Sequence, residues 1–155
     1  MKRVLRKVLM KIGLIHSRPT LVTKHEDEET IKIQEELSFQ VYWKILSIGK
    51  GPAVILKAFD EEILKFDCFG EKKGHFHNAP HYNFRIYFTE STIEEQIERT
   101  IRELKVNGLK YLSVQKDDRI RKIKPNGDEY EKALKQVKDT LIKHHQTMLN
   151  KIPET

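Results

Sequence analysis

Thr30 to Ile48 reads TIKIQEELSFQVYWKILSI. Its odd positions Ile31, Ile33, Leu37, Phe39, Val41, Trp43 and Ile45 are apolar, while Lys32, Gln34, Glu36, Ser38, Gln40 and Lys44 stand at even ones. A period of two sends one set to each side of a pleat, so the stretch predicts half-buried β-structure with Trp43 inside. Downstream, Gly49-Lys50-Gly51-Pro52 reads as a turn, being too short for a phosphate-binding loop. Ala53 to Phe59 is the next apolar run, Asp60-Glu61-Glu62 turns the chain, and Ile63 to Phe69 is a third strand. Phe84, Ile86 and Phe88, alternating with Arg85 and Tyr87, make a fourth. Connections this short favour an antiparallel meander over crossover units.

The period then changes. Ser91 with Glu94 reads as a helix cap, and Ile93, Ile97, Ile101 and Leu104 form one stripe until Asn107-Gly108. A long C-terminal helix is expected from Asp128, capped with Glu131, with Leu134, Val137, Leu141 and Met148 on its buried side. Leu109 to Lys124 between them reads as a hairpin turning at Asp117-Asp118. Residues 1–18 place Val4, Leu5, Val8, Leu9, Ile12 and Ile15 on one side of a basic amphipathic helix. Such a helix can dock on the domain or on a second copy, or meet nucleic acid or an anionic membrane. With 19–29 as a linker, the expectation is one α+β domain over 30–151. Its mainly antiparallel sheet of four or more strands is covered by the Ser91 to Val106 helix, and the terminal helices offer a route to a homo-oligomer.

Composition narrows the classes further. A chain of 155 residues, 38% hydrophobic and 34% charged, suits one soluble core and excludes fibrous or wholly disordered chains. No window approaches the roughly 18 consecutive apolar residues of a membrane span. The N-terminal charges are followed by neither an apolar run nor a small-residue cleavage site, against a secretory signal. One cysteine, Cys68, excludes an internal disulfide framework and a Cys-based zinc finger, which points to the cytoplasm. The net charge of +6 resides in Lys2, Arg3, Arg6, Lys7, Lys11 and Arg18, because residues 19–155 balance 23 basic against 23 acidic side chains. An acidic stretch, Lys24 to Glu36, precedes the core. A basic one, Lys105 to Lys124, follows it, and its Lys110, Lys116, Arg119, Arg121, Lys122 and Lys124 are candidate contacts to RNA or DNA.

The segment that points to chemistry spans Lys65 to Tyr87. Leu64, Phe66 and Cys68 share one side of a pleat, leaving Lys65 and Asp67 on the other; in Gly74-His75-Phe76-His77, an inward Phe76 turns both histidines outward. By the same parity one sheet face would gather Asp67, His75, His77, Arg85 and Tyr87. That set suits cleavage of an RNA phosphodiester: one imidazole takes the 2′-hydroxyl proton, a second protonates the leaving oxygen, Arg85 steadies the phosphate and Asp67 orients a ring. No cofactor is needed. A competing reading is zinc on His75, His77, His81 and Asp67, since histidines two apart on a strand point the same way. A third is a binding module without turnover, for nucleic acid or a protein. Cys68 belongs to the core rather than to nucleophilic catalysis, and His144 and His145 can cap a core edge or enter a partner interface.

Lys65-Phe66-Asp67-Cys68-Phe69, then Gly74-His75-Phe76-His77, then a strand and the Ile93 to Leu104 helix: this order resembles TumE-type toxins of bacterial toxin-antitoxin modules over about residues 53–106. The resemblance implies a small cytoplasmic toxin held in check by a protein antitoxin, with Asp67, His75 and His77 as the matching polar positions. The N-terminal and C-terminal helices lie outside it.

Overall fold

The alternation over Thr30 to Ile48 folds as two strands, β1 (Lys24–Gln34) and β2 (Leu37–Leu46), hinged at Glu35-Glu36. Ile31 pairs with Phe39 across the hairpin, and cross-strand partners share a face, so one apolar side serves both strands. The computed structural model describes residues 23–78 and 84–151. The expected N-terminal helix and His81 lie outside them. Among the described residues, strands β3 (Gly49–Ala58), β4 (Glu61–Asp67), β5 (His75–Asn78) and β6 (Ile86–Tyr87) complete a six-stranded antiparallel sheet in the order β1-β2-β3-β4-β5-β6. The α+β class with a long C-terminal helix therefore holds. Residues 24–29, expected in a linker, extend β1 instead. Their acidic run lies mostly exposed on the edge strand, interrupted by a bulge at Asp27, where charge and irregular backbone discourage pairing with another sheet.

Among the described residues two long helices cover one face, α1 (Ile93–Ser113) and α3 (Gly127–Leu149), with the short α2 (Asp118–Arg121) between them. Ile97, Leu104, Leu134, Val137 and Leu141 meet Phe39, Val41, Leu56, Leu64, Phe66 and Cys68 in one core, and Trp43 is buried as expected. Cys68 is enclosed there, its thiol pushed up to about 12 by burial.

Several local expectations are corrected. The β2–β3 turn falls at Ser47-Ile48, and Gly49 to Gly51 belong to β3. The cap of α1 is Thr92 with Glu95, one residue later than expected: Thr92 Oγ1 accepts from the Glu95 N–H at 3.2 Å, and the Glu95 carboxylate accepts from the Thr92 N–H at 3.1 Å. Asn107-Gly108 does not end α1, because Gly108 faces α3, where a Cβ would collide with the Tyr130 hydroxyl that donates to the Leu104 carbonyl at 2.8 Å. The Leu109 to Lys124 hairpin is instead the end of α1 plus α2, whose first turn is capped by Asp117. Asn126 caps α3 in place of the expected Asp128 and Glu131 pair, and Glu131 meets Lys105 at 3.1 Å. Phe84 and Ile86 are exposed rather than inward. The long helices lie mainly over β1 to β4, so of that alternating set only Phe88 packs on the core, 5.8 Å from the Phe76 ring.

Candidate functional site

Strand register builds the site on the face away from the helices. Tyr42 stands opposite Ala53, Ala53 opposite Asp67, Asp67 opposite His75, and His75 opposite Tyr87, a single row crossing β2 to β6. The next row runs from Ile55 through Lys65 to His77. Small residues on β3, Ala53 in the first row and Gly51 beside it, decide what can meet. Lys44 pairs with Gly51, and across bare Gly51 and Ala53 its amine reaches Asp67 Oδ2 at 2.7 Å, two strands away. Gly51 has a second duty: a Cβ there would strike the Cys68 carbonyl oxygen, next to the Cys68 N–H that donates to the Pro52 carbonyl at 3.0 Å.

His75 is held in one tautomer. Its Nδ1 lies 2.8 Å from the Lys73 carbonyl, which can only accept, so Nδ1 carries the hydrogen and Nε2 turns toward Asp67 Oδ2 at 3.4 Å. The loop supplying that carbonyl is fixed from α1. Gln96, fully buried, donates from Nε2 to the Gly70 and Glu90 carbonyls at 2.9 Å each and accepts the Gly70 N–H at 3.0 Å. Gly70 takes φ 81°, and Gly74 has no side chain because a Cβ would collide with Gln96 Oε1.

The electrostatics follow from depth. Burial lowers the His75 pKa, opposed by the bond to the Lys73 carbonyl and the Asp67 charge and reinforced by Arg85 and Lys44. Burial also lowers Lys44, opposed by Asp67. The Tyr42 phenol is pushed up, again chiefly by burial. His25 stacks on Tyr42 with ring centroids 4.0 Å apart, its own pKa lowered by burial and then by Lys44 and Lys65. Among the described residues, three buried side-chain atoms have no hydrogen-bond partner: Asp67 Oδ1 and the Tyr42 hydroxyl on this face, and His144 Nδ1 on α3.

Of the expected set, Asp67, His75 and His77 come together with Tyr87 beside them, while Arg85 is tied to them only through its charge on His75, and the depth differs from that expected. Asp67, His75 and His77 bring one donor atom each within 4.8 Å of one another. The rings of His75 and His77 meet edge to face at 4.9 Å, and Tyr87 lies 5.7 Å from His75. Asp67 is 0% and His75 1% exposed, so they are not the surface groups that parity suggested; His77 is half-buried, and Tyr87 and Arg85 are exposed. The polar partner missed in the sequence is Lys44, together with the Lys73 carbonyl and Gln96. The signal for Lys44 was the Gly51 and Ala53 gap opposite it.

The six candidate nucleic-acid contacts sit elsewhere. Arg119 pairs with Asp117 at 2.7 Å and lies over Phe59 in the β3–β4 turn, at the end of β4 remote from Asp67. Arg121 donates to the Gln115 and Lys116 carbonyls and pairs with Asp118. Lys110 donates to Asn107 Oδ1, while Lys116, Lys122 and Lys124 are exposed. His145 meets Glu94 at 2.9 Å and His144 faces Glu29 at 3.7 Å, so both tie α3 to neighbouring elements. No described helix is long and apolar enough to cross a membrane. Comparison with protein-family models, curated proteins and solved structures found no match.

Proposed function

We propose that this polar sheet face cleaves RNA phosphodiesters, in the manner expected of a TumE-like toxin whose partner is a protein antitoxin. The observation that carries the reading is the convergence of Asp67, His75 and His77, from β4 and β5, beside exposed Arg85 and Tyr87. The depth of His75 redistributes the roles expected from sequence. His77, the more accessible imidazole, takes the 2′-hydroxyl proton as that oxygen attacks phosphorus, and the Tyr87 hydroxyl supplies a proton to the departing 5′-oxygen. Arg85 holds the charge on the crowded phosphate. His75 and Asp67 act beneath, setting the position of the His77 ring. Lys110, Lys116, Arg119, Arg121, Lys122 and Lys124 would extend the contact to a longer strand, with affinity falling steeply as salt rises.

The test is incubation of the purified chain with a mixed RNA pool, with and without chelator, beside His77→Ala and Arg85→Ala variants. Cleavage by the wild type and its loss in both variants is the expected result. Uncut RNA in every tube, with affinity for a partner altered instead, would turn the face into a binding module.

A further inference from the structure

We propose that Asp67, His75 and His77 bind a divalent transition metal of the zinc class. The inference stands on donor geometry and needs no particular substrate. A tetrahedral zinc with bonds of about 2.0–2.1 Å spaces its ligand atoms about 3.3 Å apart, and Asp67 Oδ2 stands 3.4 Å from His75 Nε2. That separation is long for an N–H···O hydrogen bond and matches the spacing of two ligands on one cation. With Nδ1 donating to the Lys73 carbonyl, Nε2 is the ring atom left facing the carboxylate oxygen, and the two stand as ligands of a shared cation would. A metal-ligating histidine characteristically donates its other ring N–H to a backbone carbonyl, which is the bond the Lys73 carbonyl accepts.

Two further observations point the same way. Asp67 is fully buried, yet its Oδ1 has no hydrogen-bond partner among the described residues, so the carboxylate retains accepting capacity at a depth where an orphaned oxygen is costly. His77 lies two positions along the same strand, on the same side as His75, and completes a set of two imidazoles and one carboxylate within 4.8 Å. Imidazole nitrogen selects zinc, cobalt, nickel, copper or iron over magnesium and calcium, which prefer oxygen. Three protein ligands leave one position open, the count of a working site rather than one that only braces a fold. A cation there would pass the proton transfer assigned above to a bound water.

Lys44 is the competitor built into the site. Its ammonium now neutralises Asp67 at 2.7 Å, and a dication on the same carboxylate would have to repel or displace it. Metal binding and the Lys44–Asp67 pair are therefore alternatives, giving a prediction that a merely structural ion pair does not make.

The experiment uses the full chain, stripped with chelator and titrated with Co2+ and then Zn2+. Expected are one Co2+ per chain with visible ligand-field bands, and their loss as Zn2+ displaces it. His77→Ala, at a half-buried position that leaves the core intact, should weaken Co2+ at least tenfold, the lower end of what loss of an outer-shell partner alone costs. Lys44→Met should bind more tightly than the wild type at the same stoichiometry. Absence of stoichiometric binding, or binding indifferent to His77→Ala, overturns the site; weaker binding in Lys44→Met overturns the competition. Cation bound without RNA cleavage would retain this inference and sink the RNA reading, whereas cleavage surviving chelation, with no cation bound, would do the reverse.

Discussion

Phe66 and Asp67 are neighbours in β4, both fully buried, on opposite faces of one sheet. Phe66 enters the helix-covered core and stacks on Phe76 at 5.2 Å. Asp67 enters a layer where Tyr42, Lys44 and His75 are also buried. On the first face, removal from water is itself the stabilising event. On the second it is a cost that partners must offset, and the offset is incomplete, because two buried oxygens remain unpartnered among the described residues. The comparison teaches that equal burial can mark opposite purposes: the core side is closed-packed for stability, and the polar side tolerates expense.

The largest effects should come from this pair of neighbours, by different routes. Phe66→Ala should cost about 3–5 kcal/mol through lost burial and a cavity, read as a lower midpoint in urea unfolding. Asp67→Ala should cost about as much, roughly 3–5 kcal/mol, because the Lys44 ammonium is left buried without its counter-charge. Adding Lys44→Met should recover much of the loss at Asp67 and none of that at Phe66. Simple additivity of Lys44→Met and Asp67→Ala would show that the two side chains are not energetically coupled and break the comparison.

Pleat parity makes the two faces legible in the sequence alone. It placed Phe66 and Cys68 opposite Asp67, and it put His75 and His77 with Asp67, because side-chain direction alternates with a fixed period. Depth was not legible. Whether an outward residue such as His75 is covered depends on neighbours distant in sequence, and the reach of Lys44 depends on Gly51 and Ala53 in another strand. Helix ends failed for a related reason: Asn107-Gly108 has the composition of a terminus, but the glycine makes room for Tyr130 from α3. Phe84 and Ile86 carry an alternating pattern at a sheet margin the helices scarcely reach, so periodicity there finds no core to enter.

Glycines sharpen the comparison at intermediate size. Gly51 serves the polar face and Gly108 the helix layer, and in each a Cβ would meet a fixed neighbour, the Cys68 carbonyl or the Tyr130 hydroxyl. Ala at either should destabilise by about 1–3 kcal/mol. Gly51→Ala should also disturb the path of Lys44 to Asp67, which Gly108→Ala leaves alone. Gly127, in the first turn of α3, has nothing within 4 Å of an added Cβ, so Gly127→Ala should stabilise by about 0.4–1 kcal/mol. A loss at Gly127, or no loss at Gly108, would mean that the α1–α3 contact is not seated as described.

The smallest effect lies outside both faces, where α1 meets α3. Glu94 sits in the first turn of α1, and its pKa is lowered from 4.5, first by its own backbone N–H and then by the side chain of His145. A carboxylate with a depressed folded pKa adds stability above its unfolded value, and that contribution disappears as pH falls through the folded value. Glu94→Gln should therefore lower stability slightly at pH 7 and make no difference at pH 2, flattening the acid limb of the stability curve between. Glu94 is largely exposed, so screening holds the effect to well under about 1 kcal/mol, and added salt should shrink it further. Because this contact joins the two covering helices without touching the polar face, Co2+ binding should be the same in Glu94→Gln as in the wild type. A change in Co2+ affinity there would mean that the helix layer, through Gln96 and the Gly70 loop, controls the position of His75 more tightly than the separation of the two faces implies.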